Sequence, residues 1–206
     1  MNINKIKLLI ITIAFGMFAN AQDVCFNIGY GIANYLTNSS VETQYIASPK
    51  LGFGYKHNIV GKHWLGANLS YIRRGTILIQ ENQFLFSETE MKLNYLQFAP
   101  NYTIYFLNRL ELNVGFSCDI YLNGNYNEQY TYDGGQGSRK GDIDYYKRLG
   151  LSLNTRIGYH IEVSDNLFIN PGLHFSQGVS PINEVKSTYD YYNQNIIISV
   201  AIIKSY

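Results

Sequence analysis

The chain is poor in residues that bind metals or perform nucleophilic catalysis. It has two cysteines and four histidines among 206 residues, and their spacing does not match a Cys/His zinc site. The glycine-rich stretch Gly134-Gly135-Gln136-Gly137 lacks the Lys-Ser/Thr pair of a phosphate-binding loop. No Ser-His-Asp arrangement is signalled, although such triads are recognised by geometry. We therefore predict no catalytic residues, no metal, no cofactor and no enzymatic activity.

Charge is scarce and evenly balanced. The chain has 16 basic and 15 acidic residues, which gives a formal net charge of +1. Without a basic excess there is no electrostatic reason to bind nucleic acid, and we expect no such partner. Low-complexity tracts, charge runs and linkers are also missing from the sequence, and this length suits a single domain.

The sequence has no apolar run of the roughly 20 residues that a membrane-spanning helix needs. Its most apolar stretch, Leu8–Phe18, is too short for that purpose. Two lysines precede this stretch, and the small-x-small cleavage site Ala19-Asn20-Ala21 follows it. We therefore predict a secretory signal peptide over residues 1–21 and a mature domain over residues 22–206.

The two cysteines are far apart in the sequence. Cys25 and Cys118 fall on the first and fifth of the eight strands predicted below, so we expect two free thiols, although an exported chain can form disulfides. The lipoprotein alternative requires small residues immediately before the cysteine. Gln22, Asp23 and Val24 stand there instead, so we expect no lipidation.

Strict alternation of apolar and polar residues is the strongest pattern that the chain contains. A period of two indicates a β-strand with one apolar and one polar face. The longest example is longer than the roughly 9–11 residues with which a tilted strand crosses a bilayer. Its apolar positions are Leu110, Leu112, Val114, Phe116, Cys118, Ile120 and Leu122.

Eight segments of this kind follow one another, joined alternately by short turns and long polar loops. This layout is typical of outer-membrane barrels, whose short turns lie on the periplasmic side. The strands that run toward that side end on outward aromatic residues, which favour the membrane interface. These predicted girdle residues are Tyr55, Phe106, Tyr159 and Tyr206. We therefore predict an all-β fold, an eight-stranded antiparallel up-and-down transmembrane β-barrel in the outer membrane.

The alternative is a secreted soluble barrel or sandwich, whose strands also alternate. A solvated outer face is usually rich in Lys, Glu and Thr, whereas the polar faces here carry mainly Gly, Ser and Asn. Small residues suit the narrow interior of an eight-stranded barrel. The apolar faces would then point outward into lipid, and we favour the membrane barrel for that reason.

Two prolines interrupt the alternating pattern. Pro100 and Pro171 fall inside the fourth and seventh predicted strands. A proline cannot donate a hydrogen bond to its neighbour, and a closed barrel has no edge strand to accommodate it. We therefore expect a β-bulge near each proline.

Four charged residues fall on the polar faces of the fifth and sixth predicted strands: Glu111, Asp119, Arg148 and Arg156. Opposed residues in an antiparallel hairpin share a constant sum of residue numbers. The pair Glu111 and Arg156 has the same sum as the pair Asp119 and Arg148. One register would then pair both acids with both arginines, and buried charges cost several kcal/mol unless they are paired. Two matching sums also arise by chance, so the pairing is a hypothesis.

The lumen is expected to be filled with side chains. Lys56, Lys92 and His174 are predicted to add to its polar interior. An eight-stranded barrel has no room for an aqueous channel. We therefore expect a plugged barrel that does not conduct ions.

The most suggestive surface feature is a predicted loop near residues 123–144. Tyr and Arg are common contact residues at protein interfaces. The alternative is a solvated and partly disordered loop, since surface loops vary freely. A second loop, near residues 76–86, has the pattern of two strands that continue past the membrane as a hairpin. The candidate contact residues of the first loop are Tyr126, Tyr130, Tyr132 and Arg139.

A motif lies in the middle of the chain. It consists of Tyr95-Leu96-Gln97-Phe98-Ala99-Pro100, a short turn at Asn108-Arg109, and Leu112-Asn113-Val114-Gly115. This region resembles the PorT-like outer-membrane β-barrel domain of bacteria. Members of that family typically have the sequence Tyr-Leu-Glu-Ile-Pro at the position of Tyr95–Pro100. Here one extra residue precedes the proline, and Gln97 replaces the glutamate. The resemblance implies an integral barrel of about eight strands and brings no shared catalytic residues.

Three functions remain open on the sequence. We favour a non-catalytic structural or interaction protein whose barrel anchors surface loops. The alternatives are a narrow, porin-like transport or ligand-binding barrel and a membrane-embedded lipid enzyme. The expected partners are outer-membrane lipid, an unidentified surface ligand or protein, and the barrel-assembly machinery during insertion. The C-terminal Tyr206 resembles the signal that this machinery reads.

Overall fold

A computed structural model describes residues 22–37, 41–81, 85–107, 109–132, 134–143, 149–181 and 191–206. No helix in these ranges is long and apolar enough to cross a membrane. The strands within the same ranges are β1 (Asp23–Thr37), β2 (Glu42–Gln44), β3 (Ile46–Val60), β4 (His63–Glu81), β5 (Leu85–Phe106), β6 (Leu110–Tyr132), β7 (Gly135–Asp142), β8 (Leu149–Tyr159), β9 (Ile161–Ser164), β10 (Leu167–Gly178) and β11 (Tyr191–Ser205).

Eight of the described strands close into a ring. Their order is β1, β3, β4, β5, β6, β8, β10 and β11, and β11 returns to pair with β1. Every neighbouring pair is antiparallel. The predicted eight-stranded antiparallel barrel is therefore confirmed.

The barrel is apolar outside and polar inside. On the outer face, Phe116 is 62% exposed and Leu153 is 56% exposed. Their immediate neighbours in the chain, Ser117 and Ser152, point inward and are buried. A continuous apolar exterior of this size is far larger than the patches that water-soluble monomers expose. The exterior is therefore suited to hydrocarbon, as the alternation predicts.

Pro100 has no bulge beside it, whereas a register shift lies near Pro171, between Leu167 and Phe168 in the β10–β9 pairing. Pro100 pairs with Ala67 on β4 in unbroken register and falls in a gap of the β5–β6 ladder, which resumes with the same register. Pro171 pairs with Val200 on β11 and lies where β10 changes its other partner from β8 to β9. Each proline is therefore accommodated by missing hydrogen bonds on one side, without an inserted residue in its own strand. The β5–β6 register shift lies elsewhere, at Leu122.

Three neighbouring strands run far beyond the rest of the ring. β4, β5 and β6 have 19, 22 and 23 residues, whereas β8 and β10 have 11 and 12. Their extensions are flanked by β2, which pairs with β4, and by β7, which pairs with β6. We call this five-stranded extension the wall, comprising residues 42–44, 76–81, 85–92, 124–132 and 135–142.

The wall confirms one loop prediction and corrects another. Residues 76–81 and 85–90 form the expected hairpin extension, in register from Thr76 opposite Met91 to Glu81 opposite Phe86. The loop predicted near residues 123–144 is instead largely a hairpin of β6 and β7. The backbone hydrogen bonds of that segment are satisfied within a sheet, which the polar, glycine-rich sequence does not reveal.

A charge placed on the outer face should destabilise the barrel strongly. We expect Leu153→Arg to lower the free energy of unfolding by about 2–4 kcal/mol, since a cation near the bilayer midplane is costly. Leu107→Arg is the matched control, because Leu107 is 88% exposed in a turn and should cost only about 0–1 kcal/mol. Urea unfolding in lipid vesicles, followed by gel mobility, measures both. Equal values for the two variants would contradict a lipid-facing exterior.

Candidate functional site

The first charged cluster in the lumen is centred on Glu111, which is 1% exposed. Its Oε2 accepts hydrogen bonds from Lys56 Nζ at 2.8 Å and Asn170 Nδ2 at 2.7 Å. Its Oε1 accepts a hydrogen bond from Arg156 Nη1 at 3.0 Å. His160 Nε2 lies 3.1 Å from Oε2. The side chains around the buried carboxylate therefore come from β3, β8 and β10 and from the residue that follows β8.

The predicted contact between Glu111 and Arg156 forms, but the predicted register is wrong. Arg156 lies opposite Asn113, and Glu111 lies opposite Gly158. The two side chains meet diagonally. Gly158 makes room for this, since a Cβ there would lie 2.7 Å from Arg156 Nη1. The missing side chain therefore lets the guanidinium reach a carboxylate two residues out of register.

The second charged cluster is centred on Asp119. Its Oδ2 accepts hydrogen bonds from Arg74 Nη1 at 2.7 Å and Ser152 Oγ at 2.6 Å. Its Oδ1 accepts a hydrogen bond from Gln97 Nε2 at 3.0 Å. Arg148, the predicted partner, lies outside the described residues. In the described part of the chain, the cation that neutralises Asp119 is Arg74 on β4.

Sequence reasoning missed two lumen cations, Arg74 and Lys50. Both lie in segments that the alternating pattern does not assign to strands. β4 continues through Arg74 into the wall, and β3 begins at Ile46 and carries Lys50 inward. The sequence does contain one indication of this position for Arg74. Ser70, Ile72 and Arg74 are spaced two residues apart, so in a continuous strand they point to the same face.

Of the two lysines and one histidine that the sequence predicts in the lumen, two lie there and one does not. Lys56 and His174 point inward and are buried. Lys92 does not fill the lumen, because the inward residues next to it on β5 are Met91 and Leu93. Lys92 lies on the outer face of the wall, where its Nζ is 2.7 Å from Glu90 Oε2.

An apolar cluster fills the lumen beyond Asp119, on the side of the wall. Ile143, which follows β7, folds into this cluster, and its amide donates to Gly124 O at 3.0 Å. The end of the β6–β7 hairpin is therefore anchored inside the barrel mouth. The buried members of the cluster are Tyr35, Ile72, Met91, Leu93, Tyr95, Ile143 and Ile197.

The four predicted girdle residues lie at the barrel end opposite the wall. Phe106, Tyr159 and Tyr206 are exposed on the outer face, as lipid-facing aromatic residues would be. Tyr55 has the same outward register, opposite Val24 and Ala67, but is only 7% exposed. Tyr55 therefore keeps the predicted outward register, but its side chain is covered by neighbouring residues.

The four candidate contact residues do not form a single patch. Tyr126 points toward the barrel mouth and packs against the apolar cluster. Tyr130 and Tyr132 stack at 6.1 Å between ring centroids, and the Arg139 guanidinium lies 5.2 Å from the Tyr130 ring centroid. Tyr130, Tyr132 and Arg139 therefore form one aromatic and cationic group at the far end of the wall, in which Tyr132 and Arg139 are exposed and Tyr130 is half-buried.

The described residues contain no group of three or more His, Cys, Asp or Glu side chains that could hold a metal ion. Cys25 and Cys118 are free thiols. Cys25 is buried in the lumen, whereas Cys118 lies on the outer face of β6. The chemistry that the lumen displays is ionic and hydrogen-bonding, and its carboxylates are held by fixed donors.

Removal of the central carboxylate should destabilise the barrel. We expect Glu111→Gln to lower the free energy of unfolding by about 3–5 kcal/mol, because Lys56 and Arg156 would remain buried without their counter-charge. Glu162→Gln is the matched control, since Glu162 is exposed on β9, and should change it by less than about 0.5 kcal/mol. Urea unfolding in vesicles measures both variants. A Glu111→Gln effect as small as the control would rule out a structural role for the cluster.

Comparison with known proteins identifies similar barrels. A search of curated protein sequences finds no match. Among solved structures, similar chains include the attachment invasion locus protein Ail of Yersinia pestis, with 11% identity, coverage of 89% of this chain and 99% of that chain, and a TM-score of 0.42. Neisserial surface protein A has 14% identity, coverage of 88% and 97%, and a TM-score of 0.47. The outer membrane protease OmpT of Escherichia coli has 10% identity, coverage of 91% and 98%, and a TM-score of 0.43.

The family comparison covers most of the chain. Residues 18–184 match the family described as outer membrane protein beta-barrel domain. The match agrees with the closed ring of eight strands, the apolar exterior and the ion-paired lumen. The chain belongs to the outer membrane protein beta-barrel domain family, and it is an outer-membrane β-barrel protein.

Proposed function

We propose that the chain is a non-catalytic surface scaffold, in which the barrel is the membrane anchor and the wall is an interaction surface outside the cell. The observation that carries this proposal is the length of β4, β5 and β6. At about 3.3 Å per residue, the 22 residues of β5 extend far beyond the roughly 9–11 residues that cross a bilayer. About half of this strand is therefore not needed for anchoring.

The composition of the wall supports a position in water. One row across its inner face runs from Leu78 through Thr89 and Glu128 to Arg139. The next row, on the opposite face, contains Ile79, Glu88, Gln129 and Ser138, so that three of its four residues are polar, whereas the barrel exterior is mainly apolar.

The group of Tyr130, Tyr132 and Arg139 is the strongest candidate contact point on the wall. Large aromatic and Arg side chains dominate the binding energy of many interfaces. Here the Tyr130 ring is held between its neighbour Tyr132 and the Arg139 guanidinium. Contacts of this kind reduce the side-chain entropy that is lost when a partner binds. The proposed partner is a surface ligand or protein.

The route to the membrane is part of the same proposal. Residues 1–21, the proposed signal peptide, lie outside the described residues, and the mature domain would comprise residues 22–206. In this proposal the barrel-assembly machinery inserts the barrel and recognises Tyr206, which is 82% exposed next to the last strand. Membership of the PorT-like group within the wider family rests on the motif at residues 95–100 and 112–115.

The second candidate function is a narrow transport or ligand-binding barrel. The observation in its favour is a cavity of about 50 Å³ in the lumen. The cavity is bordered by the Glu111 cluster, and the Asp119 cluster and the apolar cluster fill the lumen toward the wall. We therefore rank this function below the surface scaffold, and a lipid enzyme lower still.

Electrical recording separates the scaffold from a transporter. We expect the purified barrel to show no steady conductance in a planar lipid bilayer, because ion pairs and apolar side chains fill its lumen. The conductance of Glu111→Gln, measured in the same bilayer, shows whether disruption of the Glu111 cluster opens a path for ions. A stable single-channel conductance of the unmodified protein would contradict the plugged lumen and favour transport.

Chemical labelling tests the position of the wall. We expect Ser138→Cys, on β7, to react with a membrane-impermeant maleimide in intact cells. Ser164→Cys, at the opposite end of the barrel, should react only after the outer membrane is permeabilised. The unmodified chain, with Cys25 and Cys118, gives the background. Labelling of Ser164→Cys but not Ser138→Cys in intact cells would place the wall in the periplasm and overturn the proposal.

A further inference from the structure

The lumen contains a small cavity with a mixed polar and apolar lining, beside the Glu111 cluster. Its volume is about 50 Å³, and its lining includes Lys50, Ser70, Asn154, Arg156 and His174. A water-sized particle needs roughly 10–15 Å³ of such space, so the cavity has room for a few of them. It is too small for an organic ligand of ordinary size.

Lys50 is the cation of this cavity that has no carboxylate partner among the described residues. Its Nζ donates to Gln97 Oε1 at 3.2 Å. Glu111 is engaged by Lys56 and Arg156, and Asp119 is engaged by Arg74. Asp23 lies opposite Lys56 at the end of the barrel and accepts a hydrogen bond from Ser205. None of these acids is within ion-pair distance of Lys50.

The charges of the lumen therefore do not balance within the described part of the barrel. Four cations face inward against three carboxylates. An uncompensated charge away from bulk water is strongly unfavourable. The cations are Lys50, Lys56, Arg74 and Arg156, and the carboxylates are Asp23, Glu111 and Asp119.

Polar atoms that line the cavity also lack partners in the described structure. They include Ser70 Oγ, His174 Nδ1 and Asn154 Oδ1, all on residues that are more than nine-tenths buried. A serine hydroxyl and a neutral imidazole can each donate a hydrogen bond. Buried polar groups without partners are rare, and each calls for a bound species or a water.

We propose that this cavity binds a small monovalent anion of the halide class, held by Lys50 with hydrogen bonds from Ser70 and His174. The anion would supply the negative charge that the lumen lacks. Gly29, opposite Lys50 on β1, also lines the cavity. The remaining volume would hold water that bridges Asn154 and Arg156.

Anomalous diffraction tests this proposal directly. Crystals of the refolded barrel grown in bromide should show an anomalous peak within hydrogen-bonding distance of Lys50 Nζ. The peak should be lost in Lys50→Met and retained in Lys92→Met, whose lysine lies on the wall. Water alone in the cavity of the unmodified protein, or a peak that persists in Lys50→Met, would overturn the proposal.

A solution measurement guards against variants that do not crystallise. The thermal unfolding midpoint of the unmodified barrel should be higher in chloride than in gluconate at equal ionic strength, because gluconate does not fit the cavity. This difference should vanish in Lys50→Gln and persist in Lys92→Met. An equal midpoint in both salts for the unmodified protein would also overturn the proposal.

Discussion

The fold depends on satisfying the polar groups that an inverted barrel turns toward its own centre. With most apolar side chains facing lipid, the inward faces are largely polar outside the apolar cluster near the wall, and an unpaired polar or charged group there is costly. Glu111 receives hydrogen bonds from Lys56, Arg156 and Asn170, and Asp119 receives them from Arg74 and other neighbours. These clusters join strands from different sides of the ring, and they replace the apolar core of a soluble protein.

The membrane-spanning part of the fold follows from period-two alternation, which is why the strand number, the closed ring and the inverted polarity were predictable. The contacts between side chains in the lumen were less predictable. Side chains in a narrow barrel reach across it, so Arg74 neutralises Asp119 from a strand two places away. Contacts between neighbouring strands also depend on small residues, since the absence of a side chain at Gly158 lets Arg156 reach Glu111 diagonally. Neither effect is visible in the pattern of a single strand.

The wall was only half predictable for a related reason. The hairpin of β4 and β5 keeps enough aliphatic residues to read as strand, whereas β7 is built from glycine and polar residues and depends on β6 for its hydrogen bonds. Sheet extension therefore supplies order that local propensity does not. The division between barrel and wall also separates two roles. In the proposed function, the barrel is the membrane anchor and the wall is the surface that contacts a partner.

Depth-dependent fluorescence quenching tests the inverted arrangement most directly. The chain has one tryptophan, Trp64, on the lumen-facing register of β4 beside Tyr105. In vesicles of lipids brominated at mid-chain, Phe116→Trp in a Trp64→Phe background should be strongly quenched, and native Trp64 only weakly. Weak quenching of the tryptophan at position 116, or equal quenching at both sites, would contradict an exterior that faces hydrocarbon.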